Sequence, residues 1–252
     1  FIGHTTLVAY PDPRRIDLRQ TIRDPMEQVY VRLFNQKSAT PVFAICDMSG
    51  SMNFGAKSRK IRRAADIIES IAQSASRNAD PFGFVGFDAI VREDWISTAS
   101  FKSQRAIELM ERLKEHHPEM VSGDGIADVW RYLPRERSLV FMVSDFHMPL
   151  KQLEESLANL LKHHIVPVVL WDADEYTKLP EFGITAVTDP ETGMKRTLFL
   201  RKEYRERIIA AFEARREAIH QLFMQFDMPP FFVEGEFDAD ALTEYFHQFV
   251  AA

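Results

Sequence analysis

The hydrophobic positions of this chain follow two rhythms, and their alternation predicts the fold. Gln28-Val29-Tyr30-Val31-Arg32-Leu33-Phe34 alternates as a half-covered strand does, whereas Pro41 to Cys46 is short and continuously apolar, as a strand buried on both faces would be. Ser138 to Val143 and Ile165 to Trp171 repeat the second pattern, and Phe82 to Phe87 followed by Ile90-Val91 reads as a strand and tight hairpin turning at Asp88-Ala89. Between these runs the period becomes helical. Ile61, Ala64, Ala65, Ile67, Ile68, Ile71 and Ala75 share one helix face; Ser103 to Glu115, Ile126 to Leu133, and Pro149 to Leu161 continue the pattern. Strands alternating with helices predict an α/β fold with a doubly wound, mainly parallel sheet flanked by helices. A short strand near Thr197-Leu198-Phe199, a long amphipathic helix from Tyr204 to Phe226, a break at Pro229-Pro230 and a last helix capped by Asp238 complete the reading. The expected organisation is an N-terminal segment over 1–40 packing on a main domain over 41–200, with a helical extension over 201–252.

Composition narrows the class. With 252 residues, 46% hydrophobic and 27% charged, the chain can bury a full core and has the balance of a soluble globular protein. A net charge of -6 argues against a general nucleic-acid binder and favours cations over polyanions. The single cysteine, Cys46, rules out an intrachain disulfide and a Cys-based zinc site, and points to a reducing compartment. No apolar stretch approaches the ~18 residues a membrane helix needs, and Phe1-Ile2-Gly3-His4 is not a signal peptide. A cytoplasmic location follows as the expectation, with membrane association through partners. Phe1 in place of an initiator Met is what a fragment would show, so an upstream anchor stays open.

In open parallel sheets, ligands gather at the carboxyl ends of the strands, and three polar loops fall there. Asp47-Met48-Ser49-Gly50-Ser51 follows the central strand, Ser122-Gly123-Asp124-Gly125 precedes a helix, and Ser144-Asp145 ends a later strand. Carboxylates and hydroxyls form a hard-oxygen set suited to Mg²⁺, Mn²⁺ or Ca²⁺. Ser49 and Ser51 are the expected inner ligands, with Asp47 and Asp145 close by; Asp124 is either a ligand or the cap of the helix near Ile126. Lys57, Arg59, Lys60, Arg62 and Arg63 crowd a helix start, where positive charge is unfavourable. They form either a solvated face or a docking surface for an acidic partner, and His147 stands at the rim of the oxygen set or is a surface histidine without a role.

Asp47, Ser49 and Ser51 match D-x-S-x-S, and here the chain resembles the von Willebrand factor A family, whose metal-ion-dependent adhesion site carries that pattern after its first strand. The resemblance implies a Rossmann-like fold and a Mg²⁺ site that a partner's carboxylate completes. Where that family places a metal-binding threonine, alignment of Gly123 and Ile126 puts Asp124, a departure that adds negative charge. Tyr10-Pro11-Asp12-Pro13-Arg14-Arg15-Ile16-Asp17-Leu18, Arg23, Val29 to Arg32 and Thr188 to Gly193 also resemble an uncharacterised family encoded beside MoxR-type AAA+ ATPases, which includes MxaS-like proteins of methanol dehydrogenase clusters. This implies a role with a MoxR-type ATPase in maturing, activating or inserting metal into a client protein such as methanol dehydrogenase.

The residues themselves argue against several enzymes. Ser49 stands where a phosphotransferase of the haloacid dehalogenase type needs its second carboxylate, no G-x-S-x-G elbow surrounds Ser49 or Ser51, and there is no P-loop. A binding module is the expectation; a divalent-metal-dependent hydrolase or phosphotransferase is the alternative.

Overall fold

The computed structural model describes residues 3–9, 11, 13, 16–26, 28–33, 39–55, 59–102, 104–172, 174–177, 182–188 and 192–249. Two compact units result, Phe1–Ala39 and Thr40–Ala252.

In the first unit, β1 (Gly3–Thr6) pairs antiparallel with β2 (Tyr30–Leu33), and α1 (Leu18–Arg23) lies between them in sequence. Asp17 organises this unit. Its carboxylate caps α1 by accepting from the Arg19 and Gln20 amides, and its Oδ2 accepts from Arg32 Nε at 2.7 Å and lies 3.0 Å from His4 Nε2. Arg32, then His4, holds the Asp17 carboxyl well below the usual carboxylate range. Arg14 and Arg15 lie outside the described residues, as do Tyr10 and Asp12.

The second unit is built on a sheet in the order β10-β7-β6-β3-β4-β5, formed by β3 (Val42–Asp47), β4 (Phe82–Phe87), β5 (Val91–Ser100), β6 (Leu139–Ser144), β7 (His164–Trp171) and β10 (Phe231–Glu234). All pairs are parallel except β4 with the edge strand β5. Side chains alternate across the sheet, so each apolar run feeds two cores. Val42, Ala44 and Cys46 of β3 join Ile61, Ala64, Ile68 and Ile71 of α2 (Lys60–Arg77) and Leu109 and Leu113 of α3 (Gln104–Lys114), with α7 (Ala239–Phe249) adding Tyr245. Phe43 and Ile45 join Ile126 and Val129 of a 3₁₀-helix (Asp124–Tyr132), Leu153 and Leu157 of α4 (Leu150–Ala158), and Ile219 and Phe223 of α6 (Lys202–Gln225). Helices on both faces of a mainly parallel sheet make this the doubly wound α/β fold expected from the hydrophobic rhythm.

Two elements differ from the sequence reading, and a third, the short strand near Leu198, gains a partner. The hairpin after β4 continues into a strand of ten residues, β5. The stretch 201–252, read as purely helical, contributes β10 to the edge of the central sheet, so it is part of the main fold. The short strand near Leu198 is β9 (Lys195–Leu200), paired antiparallel with β8 (Gly183–Thr188) as a separate hairpin. The Thr188 to Gly193 motif joins these two strands, and its residues 189–191 lie outside the described set. Asp238 accepts the Asp240 amide at 2.9 Å at the start of α7, as a capping side chain does. Among the described residues, no helix is long and apolar enough to cross a membrane.

The chain leaves β3 toward β4 on one side and returns to β6 on the other. The carboxyl ends of β3 and β6 therefore flank the point where strand order reverses, which is where open α/β sheets form their crevice.

Candidate functional site

β3 ends on Asp47, and the chain turns at once into a short 3₁₀ segment, Gly50–Asn53. An Asx-type bond sets the turn, with the Ser49 amide donating to Asp47 Oδ1 at 2.8 Å. Two backbone bonds then fasten the loop to its neighbours: Met48 N donates to Phe87 O at 2.7 Å, and Gly50 N to Val121 O at 2.9 Å. A third loop is pinned at Gly125, whose amide donates to Asp88 O at 2.8 Å. A Cβ there would fall 2.5 Å from the Ile90 carbonyl carbon, so only glycine permits this approach.

At the end of β6, Ser144 Oγ donates to Asp47 Oδ2 at 2.5 Å and accepts from the Phe146 amide at 2.8 Å, linking the two strand ends. Phe146 is buried with φ of 53°, a left-handed conformation that a bulky residue rarely adopts. Arg215 of α6 donates to the Phe146 carbonyl at 2.7 Å and contacts that of Met148, bracing the turn that presents Asp145.

Four of the five residues expected around a metal are brought together. Ser49 Oγ lies 3.2 Å from Ser51 Oγ, Ser51 Oγ donates to Asp145 Oδ1 at 3.2 Å, and Asp47 is tied to Ser49 and Ser144. Asp47, Ser49, Ser51 and Asp145 are all at most 4% exposed. Asp47 has no cation among its described partners, which are an amide and a hydroxyl. Burial, then repulsion from Asp145, pushes its pKa up to about 6 against the opposing pull of the Ser144 and Ser49 bonds. These donors fit a hard cation: adjacent ligands of an octahedron with bonds of about 2.1 Å stand about 3 Å apart. The 3.2 Å hydroxyl spacing meets this requirement, and the buried Asp47 carboxylate, with no cation among its described partners, supplies negative charge for such an ion.

Asp124 is placed differently. It is exposed, with Oδ2 accepting from Ser122 at 2.7 Å and Oδ1 from Gln152 at 3.0 Å. Gly123, not Asp124, is the N-cap of the 3₁₀-helix. The carboxylate is thus spent on neighbouring polar groups, neither capping the helix nor touching Asp47, Ser49, Ser51 or Asp145 through any described hydrogen bond.

The basic helix start is split: Arg62 is exposed, but Lys60 and Arg63 are buried, which corrects the sequence reading of Lys60 as a surface residue. Lys60 is 1% exposed, with Nζ 2.7 Å from Asp145 Oδ2 and in contact with Glu175 Oε1 on α5 (Asp174–Thr177). Arg63 is buried and pairs with Asp172 at 3.0 Å, while Arg59 is half-buried and donates to His116 O at 3.0 Å. Lys57 lies outside the described residues. His147 does face the cluster: its Nε2 is 3.2 Å from Glu175 Oε2, and its ring lies 5.9 Å from that of Trp171. Burial disfavours both cations, but Asp145 and Glu175 outweigh it and raise the pKa of Lys60 and of His147. For Asp145, burial works against ionisation, yet Lys60 and then His147 bring its pKa down to about 2.

Sequence reasoning named Ser144 without giving it a role and passed over Glu175 and Arg215. Ser144 was recoverable as the hydroxyl preceding a strand-end Asp. Glu175 and Arg215 carry no local signal, since each acts on residues far away in sequence.

Over 98 residues the chain is 30% identical to a protein of Paracoccus denitrificans named "Uncharacterized protein in moxR 3'region", covering 39% of this chain and 93% of that one. Among solved structures it is similar to the conserved hypothetical protein BatB of Bacteroides thetaiotaomicron, at 11% identity and a TM-score of 0.49, covering 85% of this chain and all of that one. It is also similar to an aerotolerance-related membrane protein of Bacteroides fragilis, at 11% identity and a TM-score of 0.44, covering 84% of this chain and 99% of that one. Residues 11–218 match DUF58, described as a protein of unknown function, and the chain belongs to that family.

Proposed function

We propose that the chain is a cation-dependent protein-binding module of the von Willebrand A type that works with a MoxR-type AAA+ ATPase on a client protein, without turning over a substrate itself. The observation that carries this reading is Asp47: a carboxylate 1% exposed, met by neutral donors, beside two serine hydroxyls and a second buried carboxylate. Ser49 and Ser51 would hold Mg²⁺, Mn²⁺ or Ca²⁺ directly, with Asp47 and Asp145 supplying the negative charge. When bound, the cation supplies fixed positive charge and directed oxygen coordination. The residues do the rest: Ser144 and Ser51 join the β3 and β6 loops, so a cation among them fastens both loops into one surface.

Burial of the oxygen set favours this loop-fastening role over direct bridging to a partner's carboxylate, and the exposed charge of Asp124 works against an acidic partner in the same place. The name of the Paracoccus relative, which places it in the moxR 3' region, supports the ATPase as partner. The test is a pull-down of the cognate ATPase by the wild type and by Ser51→Ala, each with Mg²⁺ and with chelator. Capture by the wild type in Mg²⁺, lost with chelator and in Ser51→Ala, is expected. Capture that ignores chelator removes the cation from the mechanism, and no capture under any condition removes the ATPase.

A further inference from the structure

We propose that Lys60 is a resident cation that competes with the divalent ion for Asp145, and that Glu175 sets how strongly it competes; this rests on the cation reading above. Lys60 occupies the first position of α2, where the helix dipole disfavours positive charge, and it is almost fully buried. Its placement therefore depends on the two carboxylates around it. Asp145 divides its oxygens between two claims: Oδ1 accepts from Ser51, on the side of the D-x-S-x-S loop, and Oδ2 holds Lys60 at 2.7 Å. A divalent ion drawn to the same carboxylate meets the ammonium across it, and like charges that share an anion weaken each other's binding.

Glu175 moderates that conflict. Its Oε1 contacts Lys60 Nζ, and its Oε2 lies 3.2 Å from His147 Nε2, so it draws the ammonium away from Asp145 and offsets its charge. It sits on α5, whose Tyr176 stacks on Phe212 of α6 with ring centres 4.8 Å apart. The share of Lys60 that falls to Asp145 is thus tied to how α5 packs on α6, which couples cation affinity to a helix away from the D-x-S-x-S loop. The groups facing Lys60 include Asp145, Glu175 and His147, together with the Phe54 ring 5.9 Å from Nζ.

The test is calorimetric titration of Mg²⁺ into the full chain as wild type, Lys60→Met, Glu175→Gln and the double variant, with folding checked by circular dichroism. Lys60→Met should bind about tenfold more tightly or better, and Glu175→Gln about threefold more weakly or worse, because the ammonium then leans wholly on Asp145. Lys60→Met alone leaves the buried Asp145 and the half-buried Glu175 without their cation, so the double variant, which removes one charge of each sign, decides the matter if the single variant fails to fold. It should again bind more tightly than the wild type. Equal or weaker binding by the double variant overturns the competition, and weaker binding points instead to Glu175 as a cation ligand with Asp145 and His147, whose oxygen and nitrogen atoms lie within 4.8 Å of one another. Unchanged binding by Glu175→Gln overturns its tuning role. Asp47→Asn and Ser51→Ala are the controls: if they bind like the wild type, the cation reading itself fails, whereas if they lose the ion and the double variant gains nothing, only the role of Lys60 fails.

Discussion

The loops that leave β3 and β6 each bury a carboxylate, and they hold it in opposite ways. Asp47, after β3, is met by an amide and a hydroxyl, and burial followed by the charge of Asp145 lifts its pKa to about 6. Asp145, after β6, has as little solvent, but Lys60 and then His147 outweigh burial and bring its pKa to about 2. One half of the site is already neutralised by the chain's own cation and fixes the geometry. The other half is short of positive charge and gives a bound ion something to stabilise.

Neutralising the two halves should therefore move stability in opposite directions. The largest effect is expected for Lys60→Met, which strands Asp145 and Glu175 and should cost about 3–5 kcal/mol in chelator, read from urea unfolding. A loss under about 1 kcal/mol would mean that the β6 half is not held by this ion pair. Asp47→Asn should act the other way. The folded-state pKa of Asp47, about 6, lies above its unfolded value, so the folded chain holds the proton more tightly, and stability without cation falls as pH rises from about 4 through about 6. Asp145, with its depressed pKa, contributes stability that is complete above about pH 4 and is lost as pH falls toward about 2. Asp47→Asn should then gain up to about 3 kcal/mol above about pH 7, and the gain should shrink to nothing near pH 4. A loss of stability at neutral pH would contradict the charge deficit assigned to the β3 half. The smallest effect is expected at Asp124→Thr, where an exposed carboxylate bound by Ser122 and Gln152 is removed. Its Mg²⁺ affinity should stay within about threefold of the wild type, and a larger drop would make Asp124 a ligand.

What could be read from the sequence divides along the same line. The apolar runs Pro41 to Cys46, Ser138 to Val143 and Ile165 to Trp171 announce strands covered on both faces, because their signal is continuous and local. The oxygen set of the β3 loop was legible too, since Asp47, Ser49 and Ser51 lie within five residues at a strand end. The ion-paired half was not. Lys60 sits in a run of basic residues that reads as solvated, and the acids that pair with it come from the loop after β6, 85 residues on, and from the four-residue α5. Nothing local marks Glu175, inside Asp172-Ala173-Asp174-Glu175, as anything but a surface acid. β10 escaped for a related reason. Four residues after Pro229-Pro230 make a strand only because β7 is there to pair with. Asp124, open between ligand and helix cap in the sequence, is not the cap, and Ser122 and Gln152 hold its carboxylate at the surface.

The central claim is that Asp47, Ser49, Ser51 and Asp145 bind a hard divalent cation, and calorimetric titration of Mg²⁺ into the wild type, Asp47→Asn and Ser51→Ala tests it most directly. The account predicts saturable binding to the wild type and affinity at least about tenfold weaker in both variants, with Asp47→Asn losing the ion although its cation-free fold is the more stable one. Equal affinity in all three proteins, or no saturable binding to the wild type with Mg²⁺, Mn²⁺ or Ca²⁺, would contradict it.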